Sequence, residues 1–233
     1  MLSDKKQKVF TLSYDDGVAT DARFVKMINK YGIKCTFNLN SSFIGSTNQW
    51  NYNRLKVTYL DQADAQTLYE GHEIAVHTCT HPHLEELSKE EMIAEILEDK
   101  TILQKMFQQP VTGMAYPYGT YNPSVKEAAA ACGISYARTV VSTHTFTPPE
   151  DFLEWHFTCH HKDSRLMELA EQFCASPATE LQIFSVWGHS YEFEGDNNWT
   201  ILEGLCNYLS QQNDIFFATN LEICNRIKSS IQG

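Results

Sequence analysis

The stretch Val9-Phe10-Thr11-Leu12-Ser13-Tyr14-Asp15-Asp16-Gly17 decides the fold. β-Branched and aromatic residues run up to Tyr14 and predict a strand, and the two carboxylates and the glycine then turn the chain. A helix follows in which Phe24, Val25, Ile28 and Tyr31 share a face, until Gly32 stops it. Strand, polar turn and helix make one β-then-α unit, and the pattern recurs. Ile33 to Leu39 is β-like, and His72 to Val76 is a short strand after Gly71. Ser88 with Glu91 has capping-box spacing, opening a helix that carries Met92, Ile93, Ile96, Leu97, Leu103, Met106 and Phe107 before Pro110 ends it. Val111 to Tyr116 is the next strand, and Asn122-Pro123 starts a helix that closes at Gly133. Ile134 to Val141 is β-like, Leu166, Leu169, Ala170 and Phe173 line a helix, and Leu181 to Trp187 is a strand. Leu202, Leu205 and Leu209 then mark a helix, Ile215 to Ala218 a last strand, and Asn220 is read as the cap of the final helix.

Strands alternating with helices predict parallel strands joined by crossovers. No G-x-G-x-x-G or P-loop pattern follows the first strand, as a nucleotide-binding doubly wound sheet would require. Polar chemistry instead falls at four strand exits: Asp15 and Asp16, His77, Tyr118, and His189. That distribution suits a barrel, whose reactive groups gather at the C-terminal ends of its strands. The expectation is an α/β fold, a distorted (β/α) barrel of seven or eight parallel strands. No repeat or Pro/Gly/Ser linker breaks the chain, so residues 1–233 are read as a single catalytic domain.

Composition narrows the function classes. The 233 residues are 42% hydrophobic, enough for a large core, and 29 acidic against 18 basic side chains give a net charge of −11. That charge repels phosphate backbones and anionic lipid surfaces, so neither nucleic acid nor a membrane is expected as a partner. No stretch has the length of a membrane span, and no apolar segment follows the basic start. The reading is a cytoplasmic protein, unless a leader has been trimmed. Seven scattered cysteines without a C-x-x-C pair predict reduced, buried thiols rather than a disulfide frame or a thiolate zinc site.

His77-Thr78-Cys79-Thr80-His81 carries the first chemical signal. Two histidines four apart lie on one side of a single helical turn, where both imidazoles can converge on a cation. With nine histidines in the chain this spacing is not specific alone, but the Asp15-Asp16 pair supplies a third ligand from another strand exit. His83, six residues on, is a rival to His81 that fits a shared turn less well. Two His and one Asp leave an open position for water, as in a catalytic zinc site. The remaining carboxylate can take the water's proton, and a histidine across the pocket can protonate a leaving amine. His189, just past a clear strand in Val186-Trp187-Gly188-His189-Ser190, is the candidate acid.

These motifs together resemble the polysaccharide deacetylase family, carbohydrate esterase family four. Ser13-Tyr14-Asp15-Asp16-Gly17 is similar to the first motif, which implies Asp15 as catalytic base and Asp16 as metal ligand. His77 to His81 resembles the second, which implies His77 and His81 as the other two ligands. Ala115-Tyr116-Pro117-Tyr118-Gly119 looks like the third, in which the backbone N–H of the residue at Tyr118 supports the oxyanion. Ser185 to Ser190 is similar to the fifth, whose histidine, here His189, is the general acid.

Two departures stand out. The third motif's Arg, which orients the catalytic Asp in the family, is replaced by Ala115, and Arg138 on the next strand is the candidate substitute. The fourth motif has only a loose echo in Asp151-Phe152-Leu153-Glu154-Trp155. Trp155, Trp187, Tyr191 and Trp199 are candidates for an aromatic wall against a sugar ring, and the run Cys159-His160-His161 either lies near the pocket or ends a solvated strand. The resemblance implies a metal-dependent hydrolase removing an N-acetyl group from an amino sugar or oligosaccharide. Zinc is expected on ligand type, with cobalt, nickel or manganese able to occupy the same ligands. The alternatives are an O-acetyl esterase or small-amide deacylase on the same site, or a carbohydrate-binding relative without turnover.

Overall fold

The computed structural model describes residues 6–177 and 179–231. Its parallel strands β1 (Lys8–Asp15), β2 (Cys35–Leu39), β5 (Glu73–Val76), β6 (Gly113–Ala115), β7 (Tyr136–Ser142), β8 (Trp155–Phe157), β9 (Cys159–His160), β10 (Gln182–Gly188) and β11 (Ile215–Phe217) form one sheet. Around it pack α1 (Asp21–Lys30), α2 (Gln62–Leu68), α3 (Lys89–Phe107), α4 (Pro123–Ala131), α5 (Leu166–Ala175), α6 (Ser190–Gly195), α7 (Trp199–Ser210) and α8 (Asn220–Ile231). No helix among the described residues is long and apolar enough to cross a membrane.

Residues 155–160 close the sheet into a barrel. They run as β8 and then β9, pairing first with β7 and then with β10. At the change of partner, side chains stand in for the ladder: Thr158 N–H donates to Ser185 Oγ (3.0 Å) and Ser185 N–H to Thr158 Oγ1 (3.1 Å). β11 lies beside Lys8–Phe10 at the start of β1, and β2 joins the same strand only from Leu12 onward. This shared stave is the distortion of the barrel.

The alternation in β1 sorts its side chains between two faces. Phe10, Leu12 and Tyr14 join the core beneath the helices, whereas Val9 packs with Tyr136, Trp155, Phe157 and Ile183 inside the barrel. Above that apolar floor the interior is polar and hydrogen-bonded. Thr11 donates to Asn220 Oδ1 (2.8 Å), Tyr136 and Thr36 donate to Glu73, and Asn38 bridges Ser13 and Asp15. The column of polar groups on alternate residues of β1 ends at Asp15, at the mouth.

Two local expectations change. Thr219, not Asn220, caps α8: Glu222 N–H donates to Thr219 Oγ1 (3.3 Å) and Thr219 N–H to Glu222 Oε2 (2.9 Å), a reciprocal box. The Asn220 side chain is instead committed to the barrel interior. The segment between β2 and α2 contains an antiparallel hairpin outside the barrel, β3 (Gln49–Tyr52) and β4 (Leu55–Thr58), turned at Asn53 with φ of 53°.

Candidate active site and metal centre

Asp15, Asp16, His77, His81, Tyr118, Trp187, His189 and Tyr191 meet around one cavity of about 310 Å³ at the barrel mouth. The path from sequence to this convergence is local. Ser88 and Glu91 form the expected capping box and set the phase of α3, so that Glu95 and Asp99 face the loop after β5. Asp99 accepts from Ser41 N–H (2.7 Å) and His77 N–H (3.1 Å), and Glu95 accepts from Thr80 N–H (2.9 Å) and Thr80 Oγ1 (2.7 Å). The loop from His77 to His81 is thus pinned from below.

It is not a helical turn. Thr78 and His81 hold φ values of 65° and 56°, and this irregular path brings the two imidazoles together in place of the helical spacing expected from i and i+4. Asp16 (φ 81°) and Tyr118 (φ 57°) are also left-handed, so among the described residues three of the eight non-glycine residues with positive φ, Asp16, His81 and Tyr118, line this one cavity, and Thr78 lies in the loop between two of its histidines. Each such residue costs about 1 kcal/mol or more and persists only where its surroundings hold it.

The tautomers follow from the partners. His77 Nδ1 lies 2.8 Å from Ala115 O; a carbonyl only accepts, so the proton sits on Nδ1 and the Nε2 lone pair faces the cavity. Burial lowers the pKa of His77 and takes that of His81 to about 4, so both rings are neutral. Their Nε2 atoms are 3.1 Å apart, and Asp16 Oδ1 is 3.8 Å from His77 Nε2. Burial and the neighbouring Asp15 charge raise the pKa of Asp16. Two imidazole nitrogens facing each other beside the Asp16 carboxylate are a candidate donor set for a metal. Two zinc–nitrogen bonds of about 2.05 Å at a tetrahedral angle span about 3.3 Å, close to the separation observed. His83 turns away, stacking on Tyr118 at 4.0 Å and reaching Glu85 and Thr120.

Asp15 is held differently. Asn38 Nδ2 donates to its Oδ1 (2.8 Å), and Arg138, buried in the middle of β7, pairs with its Oδ2. Burial alone would raise the Asp15 pKa, but the Arg138 guanidinium and the nearby His77 and His189 bring it below the usual value. Arg138 also lies 4.6 Å from the Trp187 ring centroid, so this indole backs the ion pair as well as lining the cavity. His189 faces the carboxylates from the other side, its Nε2 3.8 Å from Asp15 Oδ2 and 4.0 Å from Asp16 Oδ2.

Glu192 is the partner that the sequence reading missed. Its Oε2 is 3.1 Å from His189 Nδ1, 3.1 Å from His160 Nε2 and 3.5 Å from His161 Nε2. Burial opposes a charge on His189, yet Glu192 and the Asp16 and Asp15 carboxylates raise its pKa to about 9. The spacing from His189 to Glu192 is that of a capping residue to N3, a signal that could have found it. His160 and His161 therefore lie near the pocket, behind His189 and against Glu192, not at a solvated strand end.

Trp155 does not line the cavity. Its strand runs on to His160, which leaves the indole 1% exposed on the apolar floor against Tyr136 and Phe157. Trp199 is likewise buried, against Phe193 and under Arg23. Asp151 and Glu154, the echo of the fourth motif, pair with Lys126 away from the site.

The sequence profile described as polysaccharide deacetylase matches residues 3–137. The peptidoglycan-N-acetylmuramic acid deacetylase PdaC of Bacillus subtilis is 30% identical over 125 residues, 53% of this chain and 24% of that protein. Chitin deacetylase 1 of Cryptococcus neoformans is 26% identical over 154 residues, 65% of this chain and 30% of that protein. The chain spans 24% to 47% of the length of the curated relatives it matches. Among solved structures, a variant of the Bacillus subtilis peptidoglycan deacetylase PdaC superposes with a TM-score of 0.62, over 97% of this chain and 94% of that one, at 18% identity. At that identity the likeness is one of fold.

Proposed function

The chain belongs to the polysaccharide deacetylase family, and from that premise we propose that it hydrolyses the N-acetyl amide of an amino sugar within a saccharide, using zinc or a similar divalent ion. One observation carries the reading: adjacent carboxylates are given opposite environments. Asp15 is kept ionised by Arg138, while Asp16 is turned toward two neutral imidazoles. Pushing two titratable neighbours apart in this way assigns them different tasks.

Asp16, His77 and His81 would hold the ion, which when bound lowers the pKa of a water and polarises a carbonyl. Asp15 takes the proton from the attacking water, with Arg138 and Asn38 fixing the carboxylate's direction. The Tyr118 backbone N–H supports the oxyanion that develops on the carbonyl oxygen. His189 Nε2 gives its proton to the nitrogen as the C–N bond breaks, while Glu192 holds Nδ1 and stabilises the charged ring. The products are acetate and a free amine.

Acetate release from short N-acetylglucosamine oligomers by the zinc-loaded protein tests the proposal, run beside O-acetylated xylan and Asp15→Asn. Release from the oligomers should fall about 10³-fold in Asp15→Asn at unchanged zinc content. Release from xylan alone would move the activity to ester hydrolysis, and equal zinc loss in Asp15→Asn and His77→Ala would undo the separation of base from ligand.

A further inference from the structure

Tyr136, Arg138 and Val140 stand at alternate positions of β7 and do three different things. Tyr136 packs on the barrel floor, Arg138 pairs with Asp15, and Val140 reaches the cavity wall beside Gly119. We propose that Val140 is a positioning residue for the oxyanion donor: its isopropyl group holds the turn Pro117–Gly119, and with it the direction of the Tyr118 backbone N–H. The inference rests on the deacetylase reading above for the role of that N–H.

The turn needs holding. Gly119 N–H donates to Tyr116 O (2.9 Å), which closes a four-residue turn with Pro117 and Tyr118 at its centre. Proline fixes a negative φ at the first central position, and Tyr118 follows with φ 57° and ψ 0°, so the turn is of type II. Glycine or asparagine ordinarily fills that second position, and a tyrosine there costs about 1 kcal/mol or more. The relaxed alternative is a type I turn. It keeps the same closing bond, takes residue 118 to a φ of about −90°, and turns the Pro117–Tyr118 peptide over, so that the Tyr118 N–H points the opposite way. Two contacts oppose the flip. Pro117 O accepts from Thr120 N–H (3.2 Å), which requires the peptide as it stands, and Val140 sits on Gly119.

That seat is built by an irregularity in β7. Arg138 lies opposite Trp155 and Ser142 opposite Phe157, so residues 139–141 stand against His156 alone. Bulges of this kind re-aim a side chain beside a site. This one is pinned by Thr139, whose Oγ1 accepts from Val141 N–H (3.3 Å) and lies 2.7 Å from His156 Nδ1. A Cβ on Gly119 would fall 2.3 Å from Val140 Cγ2 and 2.4 Å from Cγ1, so the isopropyl group occupies the room of a side chain at 119. Gly119 has φ 72°, and its missing Cβ is what lets valine close on the backbone. β-Branching leaves Val140 few rotamers, which makes the contact a stiff one. Val140 is itself 38% exposed, so its contact with the turn, rather than burial in a core, is what a substitution removes.

An oxyanion donor acts in the transition state, so the readout is kcat. Outright loss of such a donor costs about 10²-fold or more, and a turn that flips part of the time costs less. On short N-acetylglucosamine oligomers, zinc-loaded Val140→Ala should lose about tenfold in kcat with KM within about twofold of wild type. Its zinc content and denaturation midpoint should match the wild type. Val140→Thr keeps the branched shape, at a site open enough to solvate the hydroxyl, and should recover most of the rate. A wild-type kcat in Val140→Ala, a loss that falls on KM, or a threonine variant as slow as the alanine one would overturn the role while leaving the deacetylase reading intact. Should the wild type release acetate from no sugar, amide hydrogen exchange separates the two ideas. The Thr120 N–H, whose bond to Pro117 O the flip would break, should exchange about tenfold faster in Val140→Ala than in the wild type or Val140→Thr. Faster exchange sustains the hold on the turn without the activity, and equal exchange overturns it.

Discussion

Two histidine clusters flank the cavity, and by residue type either could hold a metal: Asp16 with His77 and His81, and Glu192 with His160 and His161. Their backbone partners set them apart. A carbonyl, Ala115 O, holds the Nδ1 proton of His77 and frees Nε2 as a donor to a cation. An amide, Lys162 N–H, donates to His160 Nδ1 at 3.1 Å, which places the proton on Nε2, where it is given to Glu192. Nε2 of His160 therefore has no lone pair to offer, and Glu192 Oε2 is already shared with the backbone N–H and Nδ1 of His189. Donor type proposes a metal site, and the hydrogen bond on the other ring nitrogen decides it. The first cluster leaves a ring nitrogen free to meet a cation, and the second holds His189.

The largest effect that tests this contrast is on metal content. His77→Ala should weaken zinc binding by about 100-fold or more, while His160→Ala should retain one zinc per chain by elemental analysis. A second equivalent of zinc that disappears in His160→Ala would break the distinction. Next is Glu192→Gln, which should lower kcat by about 10²-fold and leave zinc in place. A catalytic acid must be protonated, so wild-type kcat should decline as pH rises through about 9. Removing the Glu192 charge stabilises the imidazolium less and should move that limb to lower pH; a limb that stays put would show that Glu192 does not act on His189.

Arg138→Met leaves Asp15 buried beside an uncharged side chain. The expected cost is about 3–5 kcal/mol of stability in denaturant unfolding, with a reduced rate at unchanged zinc content. A rate equal to wild type would sever Arg138 from the orientation of Asp15. The smallest effect concerns Asp21, which joins the two sides by accepting from Ser190, beside His189, and from Tyr69. Burial raises its folded pKa to about 7, well above an unfolded carboxylate near about 3.9. The fold prefers the protonated form, so the stability tied to this group is full below about pH 4 and is lost as pH rises through about 7. Asp21→Asn should therefore gain on the wild type by on the order of 2 kcal/mol between pH 4.5 and 8. A pH-independent difference would show that Asp21 stays ionised in the fold.

Much of this was legible in the chain. Val9 to Asp15 displays both its strand character and, in the small polar residues at 11 and 13, the face that leads up to Asp15. The capping box at Ser88 and Glu91 is as local as a turn of helix, and it appears as expected. Strand exits carried the reactive residues because a parallel barrel puts all those ends at one mouth. Readings that failed depended on where a segment continues or what it meets. Trp155 was read as part of an aromatic wall against a sugar ring, but it begins the segment that runs through β8 and β9, and it is buried on the apolar floor. Asn220 has the composition of a cap but is recruited by Thr11, 209 positions away in sequence.

The sequence by itself determined the alternating elements, the (β/α) barrel and the set of groups able to do hydrolytic chemistry, because these rest on periodicity and on residue type at turns. Only the tertiary structure decided which carboxylate is held by Arg138, which histidines present a lone pair, and that Glu192 stands behind His189. The physical reason is that ionisation and tautomer are properties of a group's neighbours. Apart from Glu192, which reaches His189 from three positions along the chain, those neighbours arrive from strands and loops that the fold alone brings within 3 Å or so.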